Sequence, residues 1–215
     1  MDRIKYPRTY HVPWSPGATS DDKVLTGDQV AQMFAGREVV VTEKMDGENC
    51  SIYSDGYTHA RSVASHSDPT RDWVKALAAR LSTDIPHGWR TCGENLYAKH
   101  SLLYRSLRSY FYLFGIYDGE NVCLSWQDTV LWAGLLGLEV VPILYRGIWG
   151  EKHIRNLWTG ASACGDEGEG YVIRLAGNFH LDHFTMSVVK WVRPNHVRTA
   201  AGRHDWFEEK NQLIV

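Results

Sequence analysis

Four segments of the chain combine helical spacing of apolar residues with helix start or stop signals. In residues 26–34, the side chains of Val30, Met33 and Phe34 fall on one face, and Gly36 follows as a stop signal. The other three predicted helices are residues 68–82, 126–136 and 150–160.

β-Branched and aromatic residues dominate several shorter segments that turn residues separate. These predicted strands are residues 39–44, 49–53, 57–62, 89–97, 109–118, 121–125, 138–145, 169–177 and 186–193. Strands outnumber helices and follow one another through hairpins, which favours antiparallel pairing. We therefore predict an α+β fold with antiparallel sheets flanked by helices. No linker-like segment divides the chain, so we expect a single domain over residues 1–215 without a C-terminal accessory domain.

The overall charge does not indicate a nucleic-acid-binding protein. The net charge is -2, so the chain lacks a general basic field. Residues 190–204 nevertheless contain Lys190, Arg193, Arg198 and Arg203 and no acidic residue. This run fits a solvated basic face and a phosphate-contacting face equally well.

Cysteine usage and hydropathy argue against a zinc protein, a disulfide-rich protein and a membrane-spanning protein. The four cysteines lie far apart and form no C-x-x-C pair, which argues against a zinc site and a disulfide framework. The N-terminus has no apolar signal core, and no apolar run approaches membrane-spanning length. We expect a cytoplasmic protein with reduced thiols and no membrane partner.

A dense group of charged residues follows the first predicted strand. Four of the six residues at positions 43–48 are charged, namely Glu43, Lys44, Asp46 and Glu48, and Gly47 lies among them. An ordered series of motifs comes behind this K-x-D-G segment. It consists of Arg61 at a hairpin end, Gly93-Glu94 in a strand, FYLFGIYD at 111–118, EGYVIR at 169–174 and SVVKWVR at 187–193.

The order and spacing of these motifs resemble the ATP-dependent RNA ligase family of covalent nucleotidyltransferases. The resemblance extends over most of the chain, and the phrase GENLYAKHSLLY is similar to bacterial and phage members. It implies that Lys44 is the nucleophile and that Arg61 and Lys190 contact phosphates. Arginine would do so as a bidentate fork and lysine as a point charge. The resemblance also implies that Glu94 accepts hydrogen bonds from the ribose hydroxyls of the nucleotide.

The same resemblance places an adenine-stacking aromatic at Phe111, the first residue of an F-x-x-F strand. Phe114 and Tyr112 are the alternatives on this strand. Because side chains alternate along a strand, Phe111 and Phe114 face opposite sides and cannot both serve.

Charge around the nucleophile sets a further condition. A lysine must be neutral to attack phosphorus, whereas its ordinary pKa lies near 10.4. Glu43 should point to the opposite face of the strand from Lys44, free to accept from the nucleotide or the sheet. We expect Asp46 and Glu169 to hold Mg²⁺ or Mn²⁺, which would favour the neutral amine.

Two features depart from the family pattern. The last motif of the family usually has two lysines one residue apart, whereas here Val188 and Val192 flank Lys190, and Arg193 is the candidate substitute. Ligases of this group often carry an additional C-terminal domain. A partner protein is therefore expected if the catalytic domain does not act alone.

The hypothesis from the sequence is an ATP-dependent RNA ligase acting in RNA repair. Lys44 would form a covalent lysyl-AMP and pass the AMP to a 5′-phosphate end of RNA. A 3′-hydroxyl would then displace AMP and seal the strand. Three alternatives remain open: a DNA ligase, a GTP-using capping-type nucleotidyltransferase, and a non-catalytic nucleotide- or RNA-binding module.

Overall fold

The protein is described by a computed structural model that covers residues 2–64, 68–195 and 209–214. Its α-helices in these ranges are α1 (Gly27–Phe34), α2 (Asp72–Leu81), α3 (Trp126–Leu136) and α4 (Glu151–Arg155). Short 3-10 helices span Pro69–Arg71 and Leu181–Met186. None of the helices in these ranges has the length and apolarity that crossing a bilayer requires.

The strands fall into two groups by their position in the chain. Before α3 they are β1 (Tyr10–His11), β2 (Glu38–Lys44), β3 (Glu48–Tyr53), β4 (Thr58–Ala60), β5 (Arg90–Asn95), β6 (Phe111–Tyr117) and β7 (Val122–Cys123). After α3 they are β8 (Glu139–Val140), β9 (Ile143–Ile148), β10 (Gly170–Leu175), β11 (Phe179–His180) and β12 (Val188–Val192).

Two sheets organise the molecule. The first has the strand order β1-β12-β10-β2-β9, and the second has the order β11-β7-β6-β5-β3-β4 with β8 beside β6. The β1/β12 and β6/β8 pairs are parallel, whereas the other strand pairs are antiparallel. The predicted α+β fold with antiparallel sheets is confirmed.

Helices cover the outer faces of both sheets. Val30 and Phe34 of α1 belong to one buried cluster with Val39 and Val41 of β2. In the second sheet, Phe111 of β6 packs in another cluster with residues of α2 and α3. Full burial of such a side chain stabilises the fold by about 1.5–3 kcal/mol. The inner faces of the two sheets are therefore left to enclose the site.

Local signals explain where the main helices begin and end. The Thr26 hydroxyl accepts a hydrogen bond from the Gln29 backbone N–H at 3.2 Å, while the Gln29 side chain accepts from the Thr26 N–H at 2.9 Å. This capping box starts α1 one residue inside the predicted range. The Ser125 side chain caps α3 by accepting from the Asp128 N–H, and Gly137 ends that helix at φ +63°.

The predicted strand over residues 138–145 is wrong as a single element. The structure divides it at Pro142 into β8, which pairs with β6, and β9, which pairs with β2. Proline has no N–H to donate to a ladder, so the chain can leave one sheet there and enter the other. The Pro142 carbonyl still accepts from the Glu43 N–H at 2.8 Å. Arg198 and Arg203 of the predicted basic run lie outside the described residues.

Candidate active site

A cavity lies between the inner faces of the two sheets. Lys44 of β2 and Lys190 of β12 line it from the first sheet. Glu94 of β5 and Phe114 of β6 line it from the second sheet, and Arg61 lines it just beyond β4. Residues from both halves of the sequence thus surround one space.

Backbone register explains this convergence. In the first sheet Lys44 pairs with Gly170 and Val172 pairs with Lys190, so these strands bring the two lysines to the same region of the sheet. Side chains alternate between the faces of a strand, and Val172 accordingly lines the cavity together with both lysines.

Two motif glycines permit the close packing around Lys44. A Cβ atom at Gly47 would lie 2.5 Å from the Asn95 carbonyl oxygen, and one at Gly170 would lie 2.1 Å from the Trp191 carbonyl oxygen. Both collisions are with backbone, which cannot move aside like a flexible side chain. The glycines of the K-x-D-G and E-G-x-V segments are therefore required by close backbone approach.

Lys44 is paired with a buried carboxylate. Its Nζ lies 2.5 Å from Oε2 of Glu169, and the side chains of the two residues are 23% and 5% exposed. Burial lowers the pKa of Lys44, but attraction to Glu169 and then Glu94 outweighs it, so the pKa of Lys44 is raised overall. A raised pKa favours the ammonium form, and the neutral amine expected when a divalent cation is bound stays a prediction.

Glu94 is held in an unfavourable electrostatic position. Burial raises the pKa of Glu94 to about 8, and repulsion from Glu169 and Asp46 adds to the effect, while Lys44 opposes it. Burial and the neighbouring carboxylates therefore disfavour the charged form of Glu94. An additional positive charge would relieve this repulsion.

Asn49 adds a polar atom with an unmet hydrogen-bonding capacity. It pairs with Glu94 across β3 and β5 and lines the cavity beside it. Its Oδ1 atom is buried and has no hydrogen-bond partner among the described residues. A buried acceptor in this state costs free energy unless a ligand or water donates to it. Glu94 and Asn49 bring to the cavity oxygen atoms of the kind that a hard divalent cation binds. Among the described residues, however, no group of three or more His, Cys, Asp or Glu side chains is arranged to hold a metal ion, so the metal site stays a prediction.

The Asp46 carboxylate forms hydrogen bonds within the protein. Its Oδ2 accepts hydrogen bonds from the Ser101 N–H at 2.8 Å, from the Ser101 hydroxyl at 2.6 Å and from the Leu102 N–H at 2.9 Å. It is 7% exposed and does not belong to the cavity lining. These contacts fix the loop after Lys99, and the metal-binding role of Asp46 stays a prediction.

Glu43 also serves the architecture. Its carboxylate accepts hydrogen bonds from the Ser162 hydroxyl and from the Ala163 N–H, the latter at 3.0 Å. The residue is 2% exposed, and burial raises the pKa of its carboxyl group. Glu43 also lines the cavity, so the role of accepting from the nucleotide that the sequence left open stays a prediction. The carboxylate holds the segment at residues 162–163.

The aromatic assignment is corrected by the structure. Phe111 is fully buried among the residues that pack against α2 and α3, on the face of the second sheet away from the cavity. Phe114 lines the cavity instead. The strand carries a bulge here, because Gly93 pairs with Leu113 whereas Cys92 pairs with Gly115. Phe114 is the extra residue.

Replacing the two phenylalanines should therefore affect different properties, stability for Phe111 and nucleotide binding for Phe114. Phe111→Ala should lower the free energy of unfolding by about 3–4 kcal/mol, because it leaves a cavity in the core. Phe114→Ala should cost less stability but raise the KM for ATP about tenfold, the loss expected of a single stacking contact. Denaturant unfolding and nucleotide-labelling kinetics measure the two quantities, and a normal KM in Phe114→Ala would contradict the assignment.

Some cavity residues were not found by sequence reasoning. Tyr6, Pro7, Arg8 and Thr9 of the N-terminal segment line the cavity, as does Asn49. The N-terminal residues belong to no motif used above, and only tertiary contact reveals them. For Asn49 a signal existed, since it lies two residues beyond Gly47 on the strand that pairs with the Glu94 strand.

A strand-borne lysine between two facing, mainly antiparallel sheets defines a fold of the nucleotidyltransferase type. The chain belongs to the RNA ligase family, whose model matches residues 37–192. A search of curated proteins finds no match.

Solved structures agree with this fold. A lysine-to-alanine variant of the Naegleria gruberi RNA ligase, solved with ATP and manganese, has a TM-score of 0.59 at 18% identity. A glutamate-to-alanine variant of the same enzyme with ATP and manganese has a TM-score of 0.56, also at 18% identity. The matches cover 88% and 89% of this chain and 56% of the Naegleria chain in each case. The chain thus spans little more than half the length of these similar proteins.

Proposed function

We propose that this protein is an ATP-dependent RNA ligase that acts through a covalent lysyl-AMP intermediate. The observation that carries the proposal is the Lys44 amine, held 2.5 Å from the buried Glu169 carboxylate in a cavity that Lys190 and Arg61 also line. A strand fixes this amine, so the chain can present it in line with the bond to be broken.

The first step is nucleotide transfer to the protein. The Lys44 nitrogen attacks the α-phosphorus of ATP, a nitrogen–phosphorus bond forms, and the bond to the pyrophosphate oxygen breaks. The amine must first lose its proton, because an ammonium has no lone pair. Burial of Lys44 already favours loss of that proton, whereas Glu169 and Glu94 oppose it.

We further propose that a divalent cation binds beside Glu94 when the nucleotide is present. Glu169 and Glu94 would hold it, with Asn49 placed to accept from its bound water. When bound, it would compensate the two carboxylates, favour the neutral amine and offset charge on the phosphoryl oxygens. The similar Naegleria structures hold manganese with ATP, which supports this expectation.

The remaining cavity residues can bind the nucleotide. Lys190 and Arg61 provide positive charge for the phosphates, and Glu94 can also accept from the ribose hydroxyls. Phe114 and Val172 line the cavity from opposite sheets, so the adenine ring would lie between an aromatic and an aliphatic surface.

Two further steps complete ligation. An oxygen of the RNA 5′-phosphate attacks the AMP phosphorus and releases the Lys44 amine, leaving AMP on the RNA end. The 3′-hydroxyl of the second end then attacks the 5′-phosphorus and displaces AMP. RNA as the strand, and a partner protein supplying a further domain, are part of the proposal.

Incubation with each α-labelled nucleoside triphosphate and Mg²⁺ or Mn²⁺ tests the proposal. We expect stable label from ATP alone, mapped to Lys44, and loss of at least about a hundredfold in labelling rate when the metal is chelated. Label from GTP would favour a capping-type enzyme. Absence of label from every nucleotide would favour a binding module, and sealing of DNA nicks in preference to RNA nicks would favour a DNA ligase.

A further inference from the structure

We propose that Arg8 is a second guanidinium contact for the terminal phosphates of the bound triphosphate, beside Arg61, and that Asp22 positions it. This inference rests on the proposed function and extends it to the triphosphate-binding end of the cavity. No motif of the sequence includes Arg8 or Asp22.

The segment that carries Arg8 is tied to both sheets. At its start the Arg3 guanidinium pairs with Asp55 and lies 4.6 Å from the centre of the Tyr53 ring, and the Ile4 N–H donates to the Tyr53 hydroxyl at 2.8 Å. At its end β1 pairs with β12 of the first sheet. The intervening residues therefore cross from one sheet to the other along the cavity wall.

Tyr6 fixes the middle of this segment. Its ring packs edge-on against Phe114, with the centroids 5.3 Å apart, and against Phe184, with the centroids 5.2 Å apart. Phe114 is the aromatic residue assigned to the adenine above. Because Tyr6 is anchored beside it, Arg8 follows two residues later at the cavity rather than on a loose N-terminal arm.

Asp22 holds the Arg8 side chain from behind. Its Oδ1 lies 3.3 Å from Nη2 of Arg8, and the Asp22 side chain is 3% exposed whereas that of Arg8 is 44% exposed. Oδ2 of Asp22 accepts from the Thr19 N–H at 3.0 Å and lies 3.5 Å from Nε2 of His11. A rigid carboxylate thus fixes one edge of the guanidinium, and the exposed remainder can donate to a ligand.

Arg61 supplies the other half of the arrangement. It lines the same cavity and forms no ion pair with any acidic residue that the structure describes. Burial lowers the pKa of Arg61, and repulsion from Arg8 adds to this effect. Two guanidinium groups close enough to repel each other are stabilised by an anion between them, and their planar forks match phosphate oxygens.

In-line chemistry favours the terminal phosphates over the RNA 5′-phosphate. The pyrophosphate must depart on the side of the α-phosphorus opposite the Lys44 nitrogen. Glu169, the carboxylate paired with Lys44, does not line the cavity, whereas Arg8 and Arg61 both do. The two arginines therefore provide a cationic subsite, separate from the carboxylate group, for the leaving pyrophosphate.

The test compares Arg8→Ala with Arg146→Ala, a control on the outer strand β9. Arg146 is 42% exposed and forms one ion pair, with Glu38, so it matches Arg8 in exposure and pairing. We expect Arg8→Ala to raise the KM for ATP in Lys44 labelling about tenfold, the loss of one charge-assisted contact. Sealing of RNA that already carries a 5′-adenylate should change less than about twofold, since that step involves no triphosphate. Arg8→Lys should fall between the wild type and Arg8→Ala.

Asp22 is tested as a positioning residue by a double-mutant cycle. Asp22→Asn should raise the KM for ATP in the wild-type background and leave it unchanged in the Arg8→Ala background. A purely structural role would lower the melting temperature in both backgrounds without this dependence on Arg8. Equal increases in KM in both backgrounds would therefore overturn the positioning role.

A binding measurement separates failure of this inference from failure of the proposed function. Inorganic tripolyphosphate should raise the melting temperatures of the wild type and of Arg146→Ala by similar amounts. The increase for Arg8→Ala should be much smaller. A wild type that never takes label but shows this difference would overturn the ligase proposal and support the phosphate subsite. An ATP KM and a tripolyphosphate response in Arg8→Ala equal to those of Arg146→Ala would overturn the subsite. Loss of adenylated-RNA sealing with a normal ATP KM would overturn its assignment to the triphosphate.

Discussion

Replacing Lys44 with arginine should abolish covalent labelling by ATP, with a loss of at least about a thousandfold, because arginine remains protonated in proteins. The guanidinium keeps the positive charge opposite Glu169 but cannot supply the neutral nitrogen that attacks phosphorus. The measurement is transfer of label from α-labelled ATP to the protein, with mapping of the modified residue.

The fold of the Lys44→Arg variant should survive, which makes the loss interpretable. Arginine can still pair with Glu169, so the free energy of unfolding should change by less than about 1 kcal/mol. Lys44→Met, in contrast, leaves the Glu169 carboxylate buried without its ion-pair partner and should cost about 3 kcal/mol. Lys75→Arg, on the exposed surface of α2, is the matched control and should keep full labelling. Label taken up by Lys44→Arg at the wild-type rate would show that another residue is the nucleophile.

Replacing Glu94 with glutamine should change activity and stability in opposite directions. Labelling should fall by at least about a hundredfold, because the side chain loses the charge proposed to attract the divalent cation. At pH 8 the free energy of unfolding should rise by about 2 kcal/mol, since each unit of pKa displacement is worth about 1.4 kcal/mol and water in the cavity screens part of it.

The pH dependence of this gain has a definite sign. In the folded protein the pKa of Glu94 is raised to about 8 from an ordinary value of 4.5. Between these values the folded state binds more protons than the unfolded state, so stability falls as the pH rises. The advantage of Glu94→Gln over wild type should therefore be near zero below pH 4.5, grow through this window and level off above pH 8.

Denaturant unfolding at several pH values, with Glu120→Gln as a control, measures the effect. Glu120 is exposed and lies in the turn between β6 and β7, so its replacement should leave the difference from wild type flat with pH. A stability difference for Glu94→Gln that does not vary with pH would contradict the proposed charge repulsion in the cavity.

The sequence by itself determined the class of fold and the family. The capping residues of α1 and α3 are local signals, so the chain can specify those helices without tertiary information. The glycines of the K-x-D-G and E-G-x-V segments mark close backbone approach, which is why these motifs also predict where strands meet the site. The resemblance to RNA ligases, carried by the order of these motifs, was confirmed by the family match.

Other features depend on contacts that a linear pattern does not contain. The period of a strand predicts that Phe111 and Phe114 face opposite sides, but only the packing of the second sheet on α2 and α3 decides which side is core. At Pro142 the chain passes from the second sheet to the first, because β8 pairs with β6 and β9 pairs with β2. Arg8 reaches the cavity, and pairs with Asp22, because the N-terminal segment crosses from one sheet to the other.

The charge state of Lys44 is also a tertiary property. Sequence places Glu43, Asp46 and Glu48 nearest to it, yet the carboxylate that pairs with it is Glu169, which lies 125 residues away along the chain. A pKa depends on burial and on charges within a few ångströms, and both are set by how strands from distant parts of the chain are paired. The sequence thus identifies the lysine, whereas the assembled sheets determine its protonation and its partners.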